Sequence, residues 1–220
     1  MQLGVLFSGG KDSTYAAWLA KKYGHEIACL ISIVSKNPDS FMFHTPAIKL
    51  TQKQAELIDA PLVCVETLGK KEEELGDLKK AIKKAVKDFK IEGIVTGAVE
   101  SVYQASRIQK ICNELKIECF NPLWQKNQIE LLNELVKSGF EIIISGVAAY
   151  PFDKSWIGRK IDKKFIEEVS KLQEKYKINP AGEGGEFESL VVNCPLFKKR
   201  LELGKFEVVG EGNSWRIDLK

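Results

Sequence analysis

The chain has 220 residues, of which 44% are hydrophobic and 29% charged, an ordinary globular composition that argues against disorder, a collagen-like repeat or a transmembrane bundle. Thirty-three Lys and Arg against thirty Asp and Glu leave a net charge of +3, which points neither toward nucleic acid nor away from it. Five cysteines without a C-x-x-C pair and only two histidines argue against a disulfide framework, a zinc ribbon or a multi-histidine metal site.

The opening run Leu3 to Phe7 is too short for a signal-peptide core, so the expected location is the cytoplasm, with Cys29, Cys64, Cys112, Cys119 and Cys194 as reduced thiols. In chain order, strands are predicted at Leu3 to Phe7, Ile27 to Val34, Leu62 to Val65, Gly93 to Thr96 and Glu118 to Phe120. Amphipathic stretches separate them. Tyr15, Ala16, Trp18 and Leu19 mark the first helix, and Thr45 with Pro46 supplies an N-cap and first-turn proline for the second. The third, about Leu75 to Phe89, has Leu78, Ile82, Ala85, Val86 and Phe89 at helical spacing. Its lysines suit either a polyanion or a solvated face, and the solvated face is preferred because no aromatic residues interleave with them.

This alternation predicts βαβ units and a parallel sheet over residues 1–122. After Asn121 and Pro122 the pattern changes, so residues 123–220 are expected to form a smaller α+β domain. A helix is predicted from about Gln128 to Val136, a strand over Glu141 to Val147 and a helix near Lys163 to Tyr176. Short strands are expected at Phe206 to Val209 and Trp215 to Leu219.

Two motifs carry chemistry. Ser8-Gly9-Gly10-Lys11-Asp12-Ser13 joins the first strand to the first helix. Adjacent glycines bring backbone N-H groups against an anion, and the helix start adds unsatisfied donors and a positive dipole end. Lys11 adds charge, Ser8 and Ser13 add hydroxyls, and Asp12 suits a divalent cation or the orientation of Lys11. The spacing fits neither a Walker A loop nor a G-x-G-x-x-G turn. The second motif, Gly182-Glu183-Gly184-Gly185-Glu186-Phe187-Glu188-Ser189, sets three carboxylates within six residues. They point apart into water or need a metal, cations or a proton, and Glu183, Glu186 and Glu188 are candidates to hold magnesium or deprotonate ammonium.

SGGKDS resembles the pyrophosphate loop of the N-type ATP pyrophosphatases, the PP-loop superfamily. The resemblance implies a Rossmann-like (HUP-type) sheet of order 3-2-1-4-5 and cleavage of ATP between its α and β phosphates. In such a fold ligands bind at the switch between strands 1 and 4. A second ligand loop is therefore expected after strand four, where Thr96-Gly97-Ala98-Val99 stands. Gln104 and Arg107, one helical face beyond it, suit phosphate or substrate as well as a plain polar surface, and His44 suits a nucleotide or a structural role.

Together with GAVESVYQ, DKSWIGR and GEGGEFES, the loop makes nearly the whole chain similar to the diphthine-ammonia ligase family. That resemblance implies ATP-dependent amidation of diphthine on translation elongation factor 2, through an adenylated carboxylate, with release of AMP and pyrophosphate. Lys154, Trp156 and Arg159 are candidates to grip the substrate or pair with the loop carboxylates, although Trp156 alone suits packing. ATP and magnesium are the expected cofactors, with Asp12 as metal ligand. Free ammonium is the expected donor, since neither a glutaminase-sized domain nor an evident cysteine nucleophile is seen. No membrane or nucleic-acid partner is expected, and self-association stays open. The competing readings are a tRNA-modifying relative of the thiolation or lysidine type, and a module that binds ATP without turnover. The thiolation reading would use a cysteine pair, and Cys112 and Cys119, seven apart, need not meet.

Overall fold

The computed structural model describes residues 1–35, 48–67 and 73–219. His44, Thr45 and Pro46 lie outside them. The chain divides into two compact units, Met1–Trp124 and Gln125–Lys220.

In the first unit, β1 (Gln2–Leu6), β2 (Glu26–Ser35), β3 (Leu62–Thr67), β4 (Gly93–Val95) and β5 (Glu118–Phe120) form one parallel sheet of order β3-β2-β1-β4-β5. Its central strands are apolar runs because helices cover both faces; Leu3, Val5, Leu30 and Ile94 have no exposed surface. The helices are α1 (Lys11–Lys22), α2 (Ile48–Ile58), α3 (Glu73–Phe89) and α4 (Val102–Leu115). One apolar cluster joins Leu78, Ile82 and Ala85 of α3 and Ile108, Ile111 and Cys112 of α4 to Ile31, Val63 and Ile94 of the sheet. Three lysines of α3 face acids: Lys79 pairs with Glu114, Lys80 with Asp77 and Lys84 with Asp88. That pairing is what a solvated face looks like.

β4 ends one residue short of the sequence expectation. The Thr96 hydroxyl turns to donate to Asn121 Oδ1 at 2.5 Å, while its backbone N-H still donates to Phe120 O.

In the second unit, β6 (Glu141–Val147), β7 (Phe187–Asn193), β8 (Phe206–Glu211) and β9 (Ser214–Leu219) form an antiparallel sheet of order β7-β6-β9-β8, accompanied by α5 (Gln128–Lys137) and α6 (Lys163–Tyr176). Asn127 caps α5 by accepting from the N-H groups of Ile129 and Glu130, and Asp162 caps α6 by accepting from Phe165 N. Phe152, Trp156, Phe165 and Phe187 pack edge to face, with ring centroids 4.8 to 5.7 Å apart. Among the described residues, no helix is long and apolar enough to cross a membrane.

Candidate functional site

The SGGKDS turn leaves β1 at its carboxyl end. Gly9 takes a positive φ of 78°, the left-handed conformation that glycine reaches without steric cost. Gln54 of α2 donates its Nε2 to Gly9 O at 3.0 Å, and a Cβ on Gly9 would fall 2.1 Å from Gln54 Oε1. The turn is closed internally as well. The hydroxyls of Ser8 and Ser13 lie 3.1 Å apart, Ser8 N donates to Ser13 Oγ, and Thr14 Oγ1 donates to Gly10 O. Gly10 occupies the N-cap of α1 and supplies no side chain to cap it. The helix start therefore keeps the donor character that anions seek.

Lys11 is only 4% exposed, and its Nζ lies 2.6 Å from Asp12 Oδ2. Asp12 Oδ1 is buried and has no hydrogen-bond partner among the described residues. A buried carboxylate oxygen without a donor fits a hard cation, so the turn passes the test for magnesium. Thr96, Gly97 and Ala98 follow β4, which is paired directly with β1. A Cβ on Gly97 would come 2.7 Å from both Asp12 C and Ser13 N, so only glycine lets this loop lie against the first turn of α1. Ala98 N donates to Thr96 Oγ1, which fixes the loop to the Asn121 side chain.

The helix after this loop, α4, carries Gln104 and Arg107. Ser101 caps α4 by accepting from Gln104 N. Arg107 folds back on its own helix, with its guanidinium 3.4 Å from the Tyr103 ring centre and Nη1 donating to Tyr103 O. Cys112 is fully buried in the apolar cluster between the sheet, α3 and α4, and Cys119 packs against that cluster from β5.

In the second unit the acidic motif is only partly a loop, since Phe187, Glu188 and Ser189 belong to β7. Strand pairing with β6 holds these three residues. Glu186 is buried. One carboxylate oxygen accepts from Asn179 N at 2.7 Å and Asn179 Nδ2 at 3.1 Å, and the other accepts from Gly184 N at 2.8 Å. Gln128 of α5, which sequence reasoning missed, completes the network: its Nε2 donates to Asn179 Oδ1 and its Oε1 accepts from Ala181 N. The signal in the sequence was a polar residue at an inward position of a helix. Glu188 points elsewhere. Its Oε2 is buried beside Gly146 without a partner among the described residues, and burial pushes its carboxyl up to about 7 against the pull of Arg216. Glu186 and Glu188 thus avoid repulsion by lying in different surroundings.

DKSWIGR does not reach those carboxylates. Arg159 pairs with Glu168 and stacks 4.0 Å above Trp156. Trp156 is 6% exposed and packs within the aromatic core. Lys154 is exposed, with its Nζ 5.0 Å from the Trp215 ring centre.

The sheet order and the glycine turn feeding a Lys-Asp helix start define an α/β protein of the PP-loop class. Residues 1–119 match the family model described as the diphthamide synthase N-terminal domain, and residues 127–218 match that of the diphthamide synthase C-terminal domain. The chain belongs to the diphthamide synthase family. It is 34% identical over 220 residues to a diphthine–ammonia ligase of Schizosaccharomyces pombe, covering 93% of this chain and 36% of that one. It therefore spans little more than a third of that relative's length. With the diphthine–ammonia ligase of Homo sapiens it is 32% identical over 230 residues, covering 95% of this chain and 85% of that one. A more distant likeness, 38% identity over 88 residues, is to the tRNA-specific 2-thiouridylase MnmA of Helicobacter pylori, and covers 40% of this chain and 22% of that one.

Proposed function

We propose that this chain is an AMP-forming ligase that amidates diphthine on translation elongation factor 2, in the cytoplasm, with ammonium as nitrogen donor. The observation that carries the reading is the Ser8–Ser13 turn, with its glycine-shaped backbone, its open helix start and the Lys11–Asp12 pair. The family likeness supports the substrate.

In this reading the turn takes the triphosphate, with Ser8, Ser13, Gly97 and Ala98 around it. A diphthine carboxylate oxygen attacks the α-phosphorus and pyrophosphate leaves; ammonia then displaces AMP and leaves the amide. A free carboxylate is a poor electrophile, and the AMP ester gives it a leaving group. Lys11 and the amides of the turn stabilise charge where it develops on the departing pyrophosphate. Magnesium, when bound, neutralises phosphate charge, and Asp12 would hold it. Glu183 and Glu188 are assigned to the ammonium ion, whose N-H groups a carboxylate orients and whose proton it accepts. Gln104, Arg107 and Lys154 are assigned to the elongation factor.

The thiolation alternative would need a reactive cysteine beside the nucleotide. Cys112 instead lies fully buried in the apolar cluster between the sheet and α3 and α4. The deciding experiment supplies diphthine-bearing elongation factor, ATP, magnesium and ammonium. AMP and pyrophosphate are expected in step with amide formation; release of ADP, or no turnover with the complete mixture, overturns the proposal.

A further inference from the structure

We propose that the methyl-sized space over Gly146, between the Glu188 carboxylate and the carbonyl of Trp215, is a binding site for one ammonium ion, with Gly146 as the residue that keeps it open. The inference rests on the function proposed above, in which ammonium is the nitrogen donor, and adds where on this chain that ion is held.

Three adjacent strands build the place. Gly146 of β6 is paired with Glu188 of β7 on one side and with Arg216 of β9 on the other. Residues opposite one another on neighbouring strands share a face, so the two side chains flank a glycine that fills nothing between them. The register depends on a bulge. Ile144 pairs with Ser189 and Gly146 with Glu188, which leaves Ser145 as the extra residue. In an unbroken ladder Ser145 would stand opposite Glu188, and its side chain would take the space.

The size and lining of the space select the occupant. A carbon placed on Gly146 would meet Glu188 Oε2 at 3.3 Å, and Glu188 Cβ and Trp215 O at 3.6 Å each. The first contact is tight for carbon, whereas an N–H donor there needs to shift by only a few tenths of an ångström to make an ordinary hydrogen bond. Both oxygens are acceptors, and a backbone carbonyl keeps a second lone pair even when it serves a ladder. Their distances exceed the roughly 2.0–2.6 Å of a magnesium or calcium ligand. Glu188 Oε2 is buried and has no partner among the described residues. A small cation with several N–H bonds satisfies both oxygens at once and answers the carboxylate with charge.

The same rung suits the release of ammonia. Arg216 acts on Glu188 through its charge, without bonding Oε2. A like charge beside the ion favours its neutral form, and burial holds the Glu188 carboxyl at about 7, where it can take a proton. One N–H bond of ammonium breaks, an O–H bond forms on Glu188, and ammonia is left with the lone pair that a nucleophile needs.

Crystals of the full chain soaked with thallium(I), a monovalent ion close to ammonium in size that scatters anomalously, read the site without any turnover. An anomalous peak touching Glu188 Oε2 and Trp215 O is expected, displaced by excess ammonium and absent from crystals of Gly146→Ala and of Glu188→Gln. A peak elsewhere only, an ordered water with no thallium, or a peak that survives Gly146→Ala overturns the site. In steady-state amidation, Gly146→Ala should raise the KM for ammonium by about tenfold or more, as the loss of one hydrogen bond to a charged group does, and leave the KM for ATP unchanged. An unchanged ammonium KM would mark the thallium as an adventitious ion only and overturn the inference. Glu188→Gln, which adds no bulk, gives the same reading where the alanine variant does not fold. If the parent chain forms no amide at all, the proposed function fails, while the thallium result still decides whether this space holds a monovalent cation.

Discussion

Asp12 divides its carboxylate: Oδ2 lies 2.6 Å from Lys11 Nζ, and Oδ1 is buried without a partner among the described residues. In the proposed function one oxygen orients the lysine and the other takes the cation. Asp12→Ala should lower pyrophosphate release by about 10²- to 10³-fold, the usual effect of removing one charge-stabilising group. Pyrophosphate assay across a magnesium titration checks it, with wild-type rates as the contrary result.

Gly97→Ala places a methyl against the Asp12 and Ser13 backbone, where 2.7 Å is too short for any carbon. The loop after β4 and the start of α1 must separate. We expect a loss of about 1–3 kcal/mol in urea unfolding, the common range for overpacking, and weaker ATP binding. A variant with unchanged stability and affinity would refute the packing argument.

Glu186→Gln puts an amide donor where Asn179 and Gly184 already donate. A cost of about 1–3 kcal/mol follows from leaving buried donors unmatched. Hydrogen exchange should speed up at the Asn179 and Gly184 amides before other sites in the unit. Activity should fall together with that protection, as befits a residue that positions the loop.

Glu188 carries a pH signature. Its folded carboxyl is raised to about 7, whereas an unfolded glutamate titrates near about 4.3. Between these values the folded chain binds more protons than the unfolded one, so stability is fully present at the acid end and is lost as pH rises through about 7. Glu188→Gln should remove this slope. Unfolding free energies of both proteins at pH 5 and pH 8 check it: the variant should gain on the parent at the higher pH.

Trp156→Ala should unfold the second unit more easily, by about 3–5 kcal/mol for a buried aromatic. If calorimetry showed no loss of stability while substrate affinity fell, Trp156 would be a substrate contact after all.

The parallel sheet was legible because its buried strands are continuous apolar runs and its helices keep strict spacing, as in Leu78, Ile82 and Ala85. The turn at Gly9 was legible because glycine pairs between strand and helix have few other uses. The partners of the acidic motif were not. Glu186 is met by Asn179, which in turn is met by Gln128, 51 residues away along the chain, and local pattern does not encode such pairing. The start of β7 at Phe187 was not legible because the glycines before it masked the strand. DKSWIGR read as a site because its cations stand beside an aromatic ring, yet Arg159 stacks on Trp156 and pairs with Glu168 within its own unit.

The bond from Gln54 to Gly9 limits how portable the six-residue signature is. Its brace sits 45 residues downstream on another helix, so a graft of Ser8–Ser13 into a foreign strand-helix junction would transfer the letters without the conformation. An engineer who wished to move this anion cradle would have to carry α2 along with it.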